Sequence, residues 1–284
     1  IQHHRILAFV DAMALDVPSP YPGKRTDSSV RTLHFAGTLH LARGLGGGSR
    51  AELGCGLRGL NKVGVMQDIR ICFVGDSFVS GTGDETCLGW TGRVCAAAWD
   101  RDRGRGRGRG RGREVTCYNL GIRRDTTRDI KRRWESECAR RLPAHCDARL
   151  VIACGVNDTM IENGTVRVAF EESCANLRRI LVGAKEYEVV LVGPPPVSDD
   201  GHNERIRRLS SAFAQEAGLL GIPYIELYPA LAGDGAYRAE IASTDGAHPR
   251  SGGYTRIAHI VTSSTHWWFS NPSAGVSDPR PQGR

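Results

Sequence analysis

The chain has 284 residues, 40% of them hydrophobic and 24% charged, with a formal net charge of +7. Residues 1–65 carry +4, residues 101–113 carry +6 and everything else carries −3, so no large globular segment is basic and a nucleic-acid-binding domain is disfavoured. The longest apolar runs, such as Ile71–Val74 and Leu150–Cys154, fall far short of the roughly 20 residues that a spanning helix needs, which excludes transmembrane helices.

Residues 1–65 hold neither helical nor strand periodicity and include a triple glycine, Gly46–Gly48; they read as a disordered or non-native N-terminal extension. Ile6–Val10 is too short to be the apolar core of a signal peptide. Met66 stands just before a clean strand, so the working domain is expected to begin there and to run through residue 266. Continuous apolar runs predict buried parallel strands at 70–75, 115–120, 149–154, 188–193 and 223–226. Phe170, Cys174, Leu177 and Leu181 share one face of a predicted helix over 166–183. Ile206, Leu209, Phe213 and Ala217 share one face of a helix over 203–217, and a last helix fits 251–263. Five strands alternating with helices predict a doubly wound α/β domain, whose ligands bind beyond the carboxyl ends of the strands.

The Arg-Gly repeat at 101–113 falls between the first helix and the second strand. Alternating glycine disfavours a helix and leaves nothing to pack, so the repeat is expected to be a loop insertion on the edge away from the site. Nine scattered cysteines form no Cys-x-x-Cys pair, which argues against a disulfide framework or a zinc ribbon and for reduced thiols in the cytoplasm. Trp267–Phe269 reads as a docking patch for a C-terminal tail, residues 267–284.

Polar residues stand at the predicted strand ends. The first strand runs into Gly75-Asp76-Ser77, the second ends at Tyr118-Asn119-Leu120-Gly121, and the third ends at Gly155-Val156-Asn157-Asp158. Asp245-Gly246-Ala247-His248 precedes the last helix. All four should meet on one edge of the sheet. A serine hydroxyl becomes a good nucleophile when a base takes its proton, and His248 is a suitable base. Asp245, three residues earlier and about one helical turn away, can hold the imidazole Nδ1–H while Nε2 faces Ser77. The developing oxyanion needs preorganised donors: the Ser77 N–H, the Gly121 N–H, which no side chain blocks, and the Asn157 side-chain amide. Arg123 and Arg124 read either as a solvated turn pairing with Asp125 or Asp129, or as a clamp for a substrate carboxylate or phosphate. Gly193–Val197, with Pro195 at its centre as a candidate substrate contact, reads as a rigid wall of the cleft. No G-x-S-x-G elbow, H-E-x-x-H or P-loop sequence occurs, and no metal or organic cofactor is expected.

The segments GDSFVSGTGD (75–84), YNLGIRRDTT (118–127), GVND (155–158) and DGAH (245–248) resemble, in order, the four sequence blocks of the SGNH hydrolases, the GDSL-type esterases and lipases of the bacterial single-domain type. The resemblance implies a flavodoxin-like three-layer α/β/α sandwich with a five-stranded parallel sheet. It also implies a Ser77–His248–Asp245 triad and an oxyanion hole from Ser77, Gly121 and Asn157. The implied activity is hydrolysis of a small-molecule carboxylic ester through an acyl-enzyme, without cofactor and without membrane insertion. Short-chain acyl esters are the default substrates, because nothing in the sequence suggests a lid or a long apolar tunnel; acylated carbohydrates and acyl thioesters stay open. The rival reading is non-catalytic RNA binding through the Arg-Gly tract, which lacks the interleaved aromatics of a stacking platform.

Overall fold

The structure, a computed structural model, describes residues 67–103 and 113–270. The expectations for residues 1–65 and for most of the Arg-Gly tract lie outside the described residues. In chain order the elements are β1 (Gln67–Gly75), α1 (Ser77–Ser80), α2 (Gly89–Arg103), β2 (Arg113–Gly121), α3 (Thr127–Ala139), β3 (Asp147–Ala153), β4 (Ile161–Glu162), β5 (Thr165–Val166), α4 (Phe170–Gly183), β6 (Glu188–Val192), α5 (Asp200–Leu219), β7 (Tyr224–Ile225), α6 (Tyr228–Gly233), α7 (Gly235–Ala242) and α8 (Ser251–Ser263).

Five strands form one parallel sheet in the order β2-β1-β3-β6-β7, while β4 and β5 pair as a separate antiparallel hairpin. Leaving the hairpin aside, the strands follow the flavodoxin-like 2-1-3-4-5 order. The sheet is buried on both faces because successive side chains of a strand point to opposite sides. In β1, Ile69, Ile71 and Phe73 join one core with Val94 of α2 and Ile257 and Val261 of α8. Cys72 and Val74 join the other core with Ile130 and Trp134 of α3, Leu177 and Ile180 of α4, and Phe213 of α5. This gives the expected three layers. Register then positions the site: Gly75 at the end of β1 pairs with Gly121 at the end of β2 and with Ala153 at the end of β3. The segments that follow these strands therefore emerge side by side. Among the described residues, no helix is long and apolar enough to cross a membrane.

Three expectations are corrected. The helix predicted over 166–183 begins at Phe170, because Thr165–Val166 turns back on Ile161–Glu162 through Asn163 and Gly164, both with positive φ. The thiols are not all reduced: Cys95 of α2 and Cys117 of β2 form a disulfide, with Cα atoms 6.8 Å apart. Cysteine spacing cannot reveal that pair, since it is created by α2 packing against the neighbouring strand. Finally, the aromatic run after α8 is core rather than a patch for a tail. Trp267 is 1% exposed and lies 6.4 Å from the Phe73 ring, and Phe269 is buried beside it. The packed unit therefore continues past residue 266.

Candidate active site

Ser77 is the first residue of α1, directly beyond β1, and it is buried. Asp76 caps that helix: its Oδ1 accepts the Phe78 N–H at 2.9 Å. Burial drives the Asp76 carboxyl up to about 7, against the lowering effect of the Phe78 hydrogen bond and with the help of the nearby Asp158 and Asp125 charges.

His248 reaches Ser77 from the other end of the chain. Its Nε2 lies 2.7 Å from Ser77 Oγ, and its Nδ1 lies 2.7 Å from Asp245 Oδ2. With Nδ1–H donated to the carboxylate, Nε2 is left to accept the serine proton. Asp245 and His248 both precede α8, as expected. They sit in a tight turn, where Asp245 Oδ1 accepts the Ala247 N–H at 3.0 Å and the His248 N–H at 2.8 Å. Gly246, at φ +82°, allows that turn. Burial pushes the Asp245 carboxyl up, but the hydrogen bonds from the His248 backbone and ring, with that from Ala247, outweigh it and hold the group down at about 2. The imidazole is steadied by the Phe78 ring, 5.1 Å away, and its backbone by Thr244 Oγ1, which donates to the His248 carbonyl at 2.7 Å.

Ser77, His248 and Asp245 open on a cleft of about 410 Å³ lined also by Arg123, Arg124, Asn157, Met160 and Val197. A larger groove, about 640 Å³, lies beyond Val197 and Ser198 and is lined by none of these three residues. The chemistry, not the volume, marks the smaller one. Ser77 follows β1 and Asn157 follows β3, so the cleft straddles the point where strand order reverses. Asn157 Nδ2 donates one proton to the Asp125 carbonyl at 3.0 Å, which fixes the amide plane. Asp158 is buried behind it, accepting from Thr127 and Ser173.

Other predicted site residues fall differently. The Gly121 N–H donates to Asn119 Oδ1 at 3.0 Å, two residues back, and Gly121 is not among the residues lining the cleft. Arg124 pairs with Glu162 of the hairpin, whereas Asp125 pairs with Arg133 and Asp129 with Arg132. The expected partners of the two arginines are thus already taken. Pro195 lines a narrow internal cavity behind Phe78 and Val156, not the cleft wall, which is formed by Val197. Sequence reasoning missed His202. It lines the cleft from α5, and its Nε2 lies 3.0 Å from both the Val156 carbonyl and Thr159 Oγ1. Burial lowers its pKa, which favours the neutral ring. Nothing local in the sequence marks this histidine; the contact arises only when α5 docks on the end of β3.

The sequence profile of the GDSL-like lipase/acylhydrolase family matches residues 73–256, which include all four segments of the site. The chain belongs to this family. As a GDSL-like acylhydrolase it is a carboxylic ester hydrolase. A search of curated protein sequences finds no match. Among solved structures, it is similar to a lipase/acylhydrolase from Enterococcus faecalis, with 23% identity over 68% of this chain and 93% of the other and a TM-score of 0.53. It is similar also to an acetyl xylan esterase from Geobacillus stearothermophilus, with 18% identity, 72% and 97% coverage and a TM-score of 0.54. A third is an α/β hydrolase enzyme from the metagenome of Lake Arreo, Spain, with 18% identity, 69% and 94% coverage and a TM-score of 0.52. These likenesses bear on the fold: the same layered α/β domain carries this GDSL-like site.

Proposed function

We propose that the protein hydrolyses short-chain carboxylic esters by a Ser77–His248–Asp245 triad. The observation that carries this reading is the unbroken hydrogen-bond line Asp245 Oδ2–His248–Ser77 Oγ, with both links at 2.7 Å. His248 Nε2 takes the hydroxyl proton as Ser77 Oγ attacks the ester carbonyl. The Ser77 N–H and the free proton of the Asn157 amide receive the oxyanion. The protonated imidazole then gives its proton to the departing alkoxide, leaving the acyl group on Ser77. Water, deprotonated by His248, attacks that ester, and collapse of the second tetrahedral adduct returns the carboxylic acid and the free serine.

Short acyl groups are favoured because the space behind Phe78 and Val156 is closed in by Trp90 and Pro195 to about 10 Å³. Acylated carbohydrates and acyl thioesters fit the same chemistry. Arg123 lines the cleft with no acidic partner at salt-bridge distance among the described residues, and we assign it to an anionic or strongly polar part of the substrate. Nothing supports RNA binding as the primary role. We keep the cytoplasm as the location, since six described cysteines are unpaired against one disulfide. A fluorophosphonate probe tests nucleophile, base and hole together: it should label Ser77 in the native chain and not in Ser77→Ala. Equal turnover of p-nitrophenyl acetate by Ser77→Ala and wild type overturns the reading.

A further inference from the structure

We propose that His202 is a substrate contact that sets specificity: its Nδ1 accepts a hydrogen bond from a free hydroxyl on the alcohol portion of the ester. The inference rests on the ester-hydrolase reading of Ser77 and names the class of alcohol that the cleft takes.

The ring is fixed by the start of α5. Asp199 caps that helix, and its Oδ1 accepts the His202 N–H at 2.5 Å. Two side chains of α5 then grip the turn that follows β3. Arg205 Nε donates to the Thr159 carbonyl at 2.8 Å, and His202 Nε2 lies 3.0 Å from both the Val156 carbonyl and Thr159 Oγ1. A carbonyl oxygen can only accept, so Nε2 carries the proton. Thr159 Oγ1 fits the same assignment: its own proton goes to the Val156 carbonyl at 3.0 Å, which leaves a lone pair for Nε2–H.

Burial disfavours a second proton on the ring, and the Arg205 charge adds to this; together they outweigh the Val156 hydrogen bond and the Asp199 charge. The neutral ring therefore has a bare Nδ1, an acceptor with no proton to give. Nδ1 has no partner among the described residues, where the buried side-chain atoms left without one are Asp76 Oδ2, Arg167 Nη1 and Trp267 Nε1. Its lone pair is thus open to the cleft that His202 lines.

The neighbours decide what fills it. An acceptor needs a donor, and no side chain of the cleft reaches this one, so the donor comes from the ligand. Arg123, which lines the same cleft without an acidic partner among the described residues, disfavours an ammonium group and leaves a neutral hydroxyl. The space behind Phe78 and Val156 is closed to about 10 Å³, which suits a small acyl group, whereas the cleft offers about 410 Å³. The hydroxyl therefore belongs to the alcohol. A plain alkyl ester that fills the cleft leaves Nδ1 without a donor, and that loss discriminates against it.

The test uses the full chain and three acetate esters: the monoacetate of glycerol, its dimethyl ether, and the hydrocarbon isostere in which methyl groups replace both hydroxyls. The ether keeps the oxygens and removes only their protons. Wild type should prefer the glycerol ester to either of the others by about tenfold in kcat/KM. His202→Gln, whose amide takes over the bond to Val156, should bring both ratios to within twofold of unity. His202→Asn, which puts a carbonyl oxygen at the place of Nδ1, should keep most of the preference. A wild-type preference below threefold over the ether overturns the proposal, and so does a His202→Gln chain that discriminates as wild type does. An equal loss in His202→Gln and His202→Asn overturns it too, because it assigns His202 to holding the turn. If Ser77→Ala is inactive on all three esters, each of these failures condemns only the His202 assignment, whereas an active Ser77→Ala condemns the hydrolase reading itself.

Discussion

Asp245 uses one carboxylate for two tasks, and this separates it from an ordinary surface aspartate. One oxygen gathers two backbone N–H groups and shapes the turn; the other orients the imidazole. Held at about 2, the carboxyl is ionised near neutral pH, so an acid limb of activity between pH 5 and 8 does not belong to Asp245. In Asp245→Asn the turn keeps its acceptor, but the new NH₂ faces Nδ1 and leaves Nε2 protonated toward Ser77. We expect kcat to fall about 10³-fold with KM nearly unchanged; because the Asp245 side chain is 53% exposed, water softens the loss. Steady-state kinetics on p-nitrophenyl acetate measure it, and a loss under tenfold refutes the assignment. Asp76 behaves oppositely. Its buried carboxyl, raised to about 7, is protonated in the folded chain well above the ordinary unfolded value near 4. The folded state holds the extra proton, so stability falls as pH rises from about 4 to 7, by at most about 1.4 kcal/mol per unit, and is level above that. Asp76→Asn keeps the acceptor for Phe78 and loses the titration. Its unfolding temperature relative to wild type should climb across that window in thermal melts, and a pH-independent difference rules the effect out. The meeting of Ser77, His248 and Asp245 was legible in the sequence because strand-end positions and short spacings are written in residue order. The hydrogen bond of the Gly121 N–H to Asn119 was not, since the partner of an N–H is not encoded by residue type alone.

At the scale of elements, the five parallel strands announced themselves as apolar runs, and α8 fell on its predicted span, 251–263. The hairpin β4–β5 and the short helices α6 and α7 did not, because two to eight residues are too few for periodicity to stand out. The loop between α1 and α2 was equally silent, yet it supports the histidine. Glu85 accepts from the Ser251 N–H at 3.1 Å at the start of α8, and Tyr254 of α8 donates to the Thr82 carbonyl at 2.7 Å. Gly83, at φ +90°, passes so close that a Cβ would meet the Pro249 carbonyl oxygen at 3.0 Å and His248 Cβ at 3.4 Å. Gly83→Ala should therefore push the His248 loop from Ser77. The expected result is a kcat loss of about tenfold or more, alongside about 1–2 kcal/mol of destabilisation from the left-handed backbone. Comparing kcat with urea unfolding separates the two, and a variant that loses stability while keeping full kcat shows that the loop does not position the histidine.

On the scale of the whole molecule, the chain divides its work between the two edges of the sheet. The groups proposed to be catalytic follow the carboxyl ends of β1 and β3 and precede α8, while α2 hands the chain back to the start of β2 on the opposite edge. The Arg-Gly repeat falls in sequence at that return, and it supplies most of the excess positive charge. The Cys95–Cys117 bond closes the same stretch, its ends 22 positions apart in sequence. Cross-linking a loop of that length removes unfolded-chain entropy worth roughly 3 kcal/mol. For a domain of this size, each kcal/mol shifts the unfolding temperature by about 2–4 °C. Reduction, or Cys95→Ser, should therefore lower the unfolding temperature by about 6–12 °C. The folded enzyme should keep kcat within twofold at 25 °C, since Cys117 pairs with Ile71 midway along β2, four residues before the end that faces the cleft. Thermal melts and esterase assays with and without a phosphine reductant decide between this and a redox-controlled site. Loss of kcat without a shift in melting would mean that the bond acts on the catalytic edge, against the division of labour that the strand register sets up.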